Sequence, residues 1–256
     1  MDETRAATAA TLGAARRRSP WLVPGGLMLI LALMTFDVVT GGPLVAMDER
    51  IRGVVEARAQ SARWHWVGNG GHAPAVLLTE LGNNQVAFPV LILVALVVAI
   101  LHRSLRPLLA AAIGLVLLLG TVVPAKILIA RAGPGLPPVP HGAMGVFPSG
   151  HTSTSSVCLG LAVMLLACDL RGRARQAALA GMAVVCFLVG VALVWCDYHW
   201  FSDVVAGWAL AALIVMAALR ATGLSGDPGI PVDRVRGGTA TSTDTNREQA
   251  DESARA

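Results

Sequence analysis

Six apolar runs divide this chain and most constrain its fold. A helix that crosses a bilayer needs about 20 mostly apolar residues. The runs cover residues 21–40, 85–102, 107–125, 152–169, 177–196 and 203–220. Hydrophobic residues make up 55% of the sequence and charged residues only 14%, which lies outside the range of ordinary soluble domains. The sequence therefore predicts an all-α membrane protein with a bundle of six transmembrane helices.

The remaining segments are too polar to span a membrane. Residues 64–82 are rich in Gly, Asn and His, so we expect an extramembrane or interfacial segment with room for a short helix. The first run follows Arg16 to Arg18 like a secretory signal, but it is long and lacks a clear cleavage pattern, so we expect it to be retained. Residues 1–20 and 223–256 are predicted to be disordered cytoplasmic tails around a membrane domain at 21–222.

The distribution of positive charge predicts the orientation in the membrane. Cytoplasmic loops carry an excess of Lys and Arg. Six spans with a cytoplasmic N-terminus place most arginine clusters inside and the loops 41–84, 126–151 and 197–202 outside, although four arginines in 41–84 run against this pattern. The net charge of +4 comes from these clusters, so the predicted partner is the lipid bilayer and not nucleic acid. The sequence offers no spacing of His and Cys typical of a metal site, and we predict no cofactor.

Two polar motifs lie at the edges of apolar runs. Phe147-Pro148-Ser149-Gly150-His151 precedes the fourth run, and His199-Trp200-Phe201-Ser202-Asp203 precedes the sixth. On a helix, His199 and Asp203 share a face, so the carboxylate can orient the imidazole as a nucleophile. Ionisable residues at the edge of a span are costly and usually functional. Because both motifs fall on the predicted outer side, we expect one reaction centre at that membrane surface.

The first motif also has the pattern of an anion site. Ser149, Gly150 and His151 stand where the next helix should begin, and free backbone N–H groups there favour an anion that Gly150 lets approach closely. The alternative is ordinary turn chemistry, with Ser149 as the N-cap. The N-terminal position of the motif predicts a bound phosphate.

Two cations precede this motif. Lys126 at the end of the third run is compatible with simple snorkelling, and Arg131 with an ordinary loop arginine. Together they offer the positive charge that a phosphate requires. We therefore predict a phosphate-binding set of Lys126, Arg131, Ser149 and Gly150.

These residues resemble the type 2 phosphatidic acid phosphatase superfamily of membrane lipid phosphatases. That family shows Lys-x6-Arg-Pro, then Pro-Ser-Gly-His, then Ser-Arg-x5-His-x3-Asp. The second element is complete at Pro148 to His151, and the third ends in His199 and Asp203. The resemblance covers about residues 21–220. It implies hydrolysis of a lipid phosphate or diphosphate through a phosphohistidine on His199, with Asp203 as its orienter and His151 as the acid.

Two arginines of the family pattern are replaced. Gly133 stands at the first position and Leu193 at the second. A charge-assisted contact is worth about 1.5–3 kcal/mol, so their loss matters. Three alternatives remain open: a phosphatase in which Arg131 replaces one arginine, a transferase with the same triad as in sphingomyelin-synthase-like enzymes, and a non-catalytic lipid-binding relative. The complete triad favours an enzyme, and we predict a phosphatase acting on phosphatidate or a polyprenyl diphosphate, with a membrane phospholipid or polyprenyl phosphate as its lipid partner; the oligomeric state is left open.

Overall fold

The computed structural model describes residues 21–61, 73–140 and 142–224. Its regular elements are helices: α1 (Leu22–Thr40), α2 (Pro43–Ser61), α3 (Ala73–Thr79), a 3-10 turn (Glu80–Gly82), α4 (Asn84–Leu101), α5 (Arg106–Ile129), α6 (Gly150–Leu166), α7 (Gly172–Trp195) and α8 (Phe201–Ala221). The all-α prediction is confirmed for the described residues. The predicted tails at 1–20 and 223–256 lie outside them, apart from residues 223 and 224.

The helices match the predicted runs closely. Five of them, α1, α4, α5, α7 and α8, are long and apolar enough to cross a membrane, and α6 is apolar but shorter, with 17 residues. Large apolar side chains such as Leu93, Val116 and Phe187 point out of the bundle and are 61%, 69% and 56% exposed, as expected for a surface that faces lipid. The chain is a polytopic helical membrane protein, and the number of six spans stays a prediction.

Helix α6 lies in the middle of the bundle and packs against α4, α5, α7 and α8. Small residues let its neighbours approach closely. A Cβ atom added to Gly207 of α8 would lie 3.0 Å from Cβ of Thr152, and one added to Gly114 of α5 would lie 2.4 Å from Cδ1 of Leu161. The polar run Thr152–Ser155 is buried in this environment. The α6 N-terminus is therefore closely packed among its neighbours.

The loop after α5 folds back over the end of that helix. Helix α5 stops at Ala130, whose φ of 46° is left-handed. Farther along, the N–H of Gly145 donates to the carbonyl of Lys126 at 2.9 Å, and the N–H of Val146 donates to the carbonyl of Arg131 at 2.9 Å. A side chain at Gly145 would come within 2.4 Å of the Arg131 nitrogen, so this close return requires glycine. The loop thus delivers Ser149 to the same end of the bundle as Lys126.

Helix α2 was not predicted, because residues 41–84 read as an outer loop. Its inner face carries Leu44, Asp48, Ile51 and Val55 at helical spacing, and all four are at least partly buried. The helix contacts α1 and α8. The short helix expected within 64–82 is confirmed as α3 and the turn that follows it, while residues 62–72 lie outside the described residues.

Candidate active site

The two polar motifs meet at one end of the bundle. The ring centroids of His151 and His199 are 6.5 Å apart, with the ring planes inclined by 60°. The starts of α6 and α8 are joined directly, because the backbone N–H of Ser149 donates to the backbone carbonyl of Asp203 at 3.0 Å. The structure therefore brings together the two half-sites that the sequence predicted, although the roles of their residues stay predictions.

His199 and Asp203 form a buried pair. Nδ1 of His199 lies 3.3 Å from Oδ2 of Asp203, and the backbone N–H of Trp200 donates to the same oxygen at 3.1 Å. Asp203 is fully buried, and His199 is only 7% exposed. Because a carboxylate accepts, the proton of the neutral imidazole sits on Nδ1. This tautomer leaves the lone pair of Nε2 for reaction.

Arg131 lies behind this pair. Its Nη1 donates to Oδ1 of Asp203 at 2.5 Å and to Oγ of Ser202 at 2.7 Å, while Nη2 donates to Oδ2 of Asp48 at 2.7 Å. The guanidinium also stacks on Trp200, 5.3 Å from the ring centroid. Both terminal nitrogens are thus engaged by carboxylates. This arrangement favours a role in holding Asp203 over the predicted contact with phosphate, for which Arg131 would have to exchange a carboxylate.

Lys126 lies beside the start of α6. Its Nζ donates to the carbonyls of Gly145 and Val146 at 3.0 and 3.1 Å, which use two of its three N–H groups. A Cβ atom on Gly150 would lie 3.3 Å from Cε of Lys126. The ammonium group is therefore adjacent to the predicted anion position, and its third N–H is the one left for a ligand.

Ser149 is the N-cap of α6, as the simpler interpretation predicted. Its Oγ accepts from the backbone N–H of Thr152 at 3.2 Å, and the side chain is fully buried. The cap leaves the hydroxyl hydrogen as the group that can donate to a ligand. Gly150 follows as the first residue of the helix, where backbone N–H groups favour an anion. Phosphate binding by Ser149 and Gly150 stays a prediction.

The structure explains how the chain uses the positions of the missing arginines. Leu193 is fully buried and packs with Val189 and Val204 in an apolar cluster between α7 and α8. Gly133 lies in the loop after α5, where an added Cβ atom would be 3.0 Å from Cδ1 of Leu136. Both positions are therefore filled by packing contacts and carry no cation.

Sequence reasoning missed two residues next to the half-sites. Asp48 of α2 accepts from the backbone N–H of Ser202 at 2.9 Å and also bonds the Ser202 hydroxyl. Gly82 lies against His151, since an added Cβ atom would be 2.5 Å from the His151 carbonyl oxygen. The signal for Asp48 was its place on the apolar face of an amphipathic pattern. For Gly82, we find no signal in the sequence.

A second, exposed contact fastens α2 to the same end of the bundle. Arg52 forms a two-pronged ion pair with Asp197, with Nε to Oδ1 and Nη2 to Oδ2 both at 2.9 Å. This hydrogen-bonded pairing raises the pKa of Arg52 above its ordinary value, so the arginine stays charged. Asp197 has a left-handed φ of 58°, which Asp and Asn tolerate best among residues with side chains. Its role here is to bind α2.

Among the described residues, one group has side-chain atoms close enough to share a metal ion: His102, Cys168 and Asp169. Nε2 of His102 lies 3.0 Å from Oδ2 of Asp169 and 3.9 Å from Sγ of Cys168. These exposed side chains lie at the other end of α6, about 25 Å from His151 at 1.5 Å per helical residue. The direct contact between His102 and Asp169 explains why these side chains lie together. The group is too distant to take part in chemistry at His199.

Comparison with known proteins agrees with the motifs. Residues 105–226 match the model of the PAP2 superfamily, and the predicted resemblance to this superfamily is confirmed. The fold is similar to the crystal structure of the first transmembrane PAP2 type phosphatidylglycerolphosphate phosphatase from Bacillus subtilis, with a TM-score of 0.66 and 18% identity over 80% of this chain and 98% of that one. At this identity the likeness supports the fold alone. No curated protein matches the sequence.

Proposed function

We propose that the chain, whose residues 105–226 match the model of the PAP2 superfamily, hydrolyses a lipid phosphate monoester or diphosphate. The observation that carries this proposal is the 6.5 Å separation of the His151 and His199 rings. Reacting atoms in a near-attack geometry are about 3–3.5 Å apart, so a phosphoryl group fits between a nucleophile on one ring and an acid on the other. The ammonium of Lys126 beside Gly150 supplies positive charge at the same place.

In the first step, Nε2 of His199 attacks phosphorus. An N–P bond forms while the bond from phosphorus to the leaving oxygen breaks, and His151 gives a proton to that oxygen. The attacking imidazole gains positive charge, which the carboxylate of Asp203 stabilises through Nδ1. The products of this step are a phosphohistidine and the lipid without its terminal phosphoryl group, which is an alcohol from a monoester and a monophosphate from a diphosphate.

In the second step, water releases the phosphate. His151 has lost its proton and accepts one from the water, whose oxygen attacks phosphorus as the N–P bond breaks. Lys126 and the N–H groups at the start of α6 stabilise the phosphoryl oxygens in both steps. Neither step requires a group outside the chain, the substrate and water.

The substrate class follows from the surroundings of the site. Large apolar side chains close in sequence to Lys126 and Arg131 are exposed, among them Leu128, Leu136 and Met144, which suits a substrate whose acyl or prenyl tail stays in the bilayer while its phosphate reaches His199. Candidate substrates are phosphatidate, polyprenyl phosphate and polyprenyl diphosphate. Phosphatidylglycerolphosphate joins them, because the Bacillus subtilis protein is described as a phosphatase of that lipid.

The test is a phosphate-release assay on the full chain in mixed micelles with each of these lipids. We expect inorganic phosphate without an added acceptor, together with an acid-labile phosphoenzyme. A transferase would instead need a second alcohol and leave little free phosphate. No turnover of any of the four lipids by folded protein would contradict the proposed function.

We also propose that the site faces the extracytoplasmic side of the cell membrane, which the arginine distribution supports. Tyr198→Cys at the site and Arg173→Cys at the other end of the bundle test this in a chain without its 4 native cysteines. A membrane-impermeant maleimide should label residue 198 in intact cells and residue 173 only after lysis. The reverse pattern would place the site in the cytoplasm.

A further inference from the structure

Asp48 is the most deeply buried of the α2 side chains that the structure describes. Its side chain is fully buried, whereas the neighbouring acidic residue Glu49 is exposed. It also lies outside residues 105–226, the segment that matches the superfamily. A buried carboxylate is costly unless it is paired and hydrogen-bonded, so its contacts determine what it does.

Those contacts lead to two parts of the site. One oxygen of Asp48 accepts from the backbone N–H of Ser202, at the first turn of α8. The other accepts from the Ser202 hydroxyl and from Nη2 of Arg131. The Ser202 hydroxyl in turn accepts from Nη1 of Arg131. Asp48 therefore holds both the guanidinium and the helix terminus that carry the catalytic pair.

The guanidinium of Arg131, held by Asp48, in turn fixes the carboxylate of Asp203. Nη1 of Arg131 donates to Oδ1 of Asp203, which leaves Oδ2 for Nδ1 of His199. The planar fork of arginine fixes the angle between its two carboxylate partners. A continuous series of contacts thus runs from Asp48 through Arg131 and Asp203 to His199.

The charges of this series also suit the reaction. Two buried carboxylates and one guanidinium sum to one negative charge beside His199. An imidazole that forms a bond to phosphorus becomes cationic, and the excess negative charge stabilises it in the transition state. Without the negative charge of Asp48, the positive charge of Arg131 would neutralise that of Asp203, and no net negative charge would remain beside His199.

We propose that Asp48 is a positioning residue for phosphoryl transfer, which it serves by fixing Arg131 and Ser202 and thereby the Asp203 carboxylate on His199. This inference rests on the proposed phosphatase activity. It makes α2, a helix outside the superfamily match, a working part of the active site. A simpler role would be to fasten α2 to the bundle, and the experiment must separate the two.

The chain offers a matched control, because α2 has a second attachment. The Arg52–Asp197 ion pair also joins α2 to this end of the bundle, but it is partly exposed and bonds neither Arg131 nor Asp203. Arg52 shares the Trp200 ring with Arg131, at 6.0 Å from the ring centroid, and Asp197→Asn leaves both residues of that contact in place. Asp197→Asn weakens that attachment and keeps a residue that tolerates a left-handed φ. Asp48→Asn removes one charge and keeps the shape of the side chain.

The experiment measures kcat, KM, phosphoenzyme formation and thermal unfolding for the full chain in micelles, with the lipid that wild-type protein hydrolyses best. A charge-assisted contact corresponds to about 10–150-fold, so Asp48→Asn should lower kcat and phosphoenzyme formation by at least tenfold with KM nearly unchanged. Asp197→Asn should keep kcat within about twofold, as expected for an exposed ion pair. In an Arg131→Ala background, Asp48→Asn should have little further effect on kcat, because both act through one series of contacts.

Three results would overturn the inference. The first is wild-type kcat in folded Asp48→Asn protein. The second is an equal loss of kcat in Asp197→Asn, which would mean that Asp48 affects catalysis only by attaching α2 to the bundle. If Asp48→Asn does not fold, Arg131→Lys takes its place, because it keeps the charge and loses the fork that joins Asp48 to Asp203; a folded Arg131→Lys protein with unchanged kcat is the third. Wild-type protein that hydrolyses none of the lipids would instead remove the proposed function, and this inference with it.

Discussion

The two polar motifs of the active site are held in place by different kinds of contact. At the start of α6, Ser149 is buried and bonded as a neutral cap, and the backbone of His151 packs against Gly82 while its side chain is exposed. At the start of α8, Asp203 is fixed by buried ion pairs that extend to Asp48. The first motif should therefore respond most to side-chain volume, and the second to charge.

The cost of disturbing each motif differs in the same way. Overpacking a well-filled core costs about 1–3 kcal/mol. Breaking a buried ion pair from one side costs about 3–5 kcal/mol, because an uncompensated charge is left behind. The charged motif thus carries the larger penalty, and it also carries the proposed nucleophile. The following predictions test this difference, from the largest effect to the smallest.

The largest effect is expected for His199→Ala, which removes the nucleophile of the charged motif. Turnover should fall to background, and no phosphoenzyme should be trapped. His151→Ala should lose less with an aryl phosphate than with a lipid phosphate, because a good leaving group needs little help from an acid. Turnover assays with both substrates measure this. Full activity in folded His199→Ala protein would contradict the mechanism.

Asp203→Asn should have the next largest effect, because it removes the charge that orients His199. We expect kcat to fall by about 10²–10⁴-fold, the range that a positioned acid or base contributes. A trapped phosphoenzyme should remain detectable after long incubation, unlike in His199→Ala. Wild-type kcat in folded Asp203→Asn protein would show that the charged contacts serve stability alone.

Gly82→Ala tests the packed motif. The added methyl group would lie 2.5 Å from the His151 carbonyl oxygen, so α6 or the 3-10 turn must shift. We expect a loss of about 1–3 kcal/mol in the free energy of unfolding, together with a lower kcat. Gly120→Ala is the matched control, since an added Cβ atom there has no neighbour within 4 Å. Equal behaviour of the two variants would refute the packing argument.

Ser149→Ala should have the smallest effect on stability, because it removes one neutral cap. The expected loss is about 0.5–2 kcal/mol in the free energy of unfolding. Ser155→Ala is a control from the same helix, a buried serine whose hydroxyl bonds a backbone carbonyl. A drop in kcat for Ser149→Ala alone would support the predicted contact with phosphate. Unchanged kcat would show that Ser149 serves only as the N-cap of α6.

The transmembrane helices could be predicted because a bilayer leaves an apolar run few alternatives to a helix. The runs at 107–125 and 177–196, for example, correspond to α5 and α7 within a few residues. The meeting of His151 and His199 was also predictable, since counting spans places both motifs on one side. Hydropathy and the order of the spans were thus enough to predict the helices that carry the site and the end of the bundle at which it lies.

Other parts could not be predicted, for physical reasons. Helix α2 is too polar to be detected by hydropathy. The partner of its inner face can be identified only when the surface of α8, against which it packs, is known. The contact between Asp48 and Arg131 joins residues 83 positions apart, and no local pattern encodes such a pairing. For the same reason, Arg131 read from sequence as a free cation next to a phosphate. Its two carboxylate partners belong to segments that only the folded chain brings together.

The hydrogen bond from the Ser149 N–H to the Asp203 carbonyl has a consequence for how this site can evolve. Both atoms belong to the main chain, so nearly every substitution at either position preserves the link; proline at 149 is the exception. The bond that joins the two halves of the site thus does not depend on which side chains stand at positions 149 and 203. A lineage could exchange nucleophile, acid or anion ligands one at a time and still inherit the same spacing.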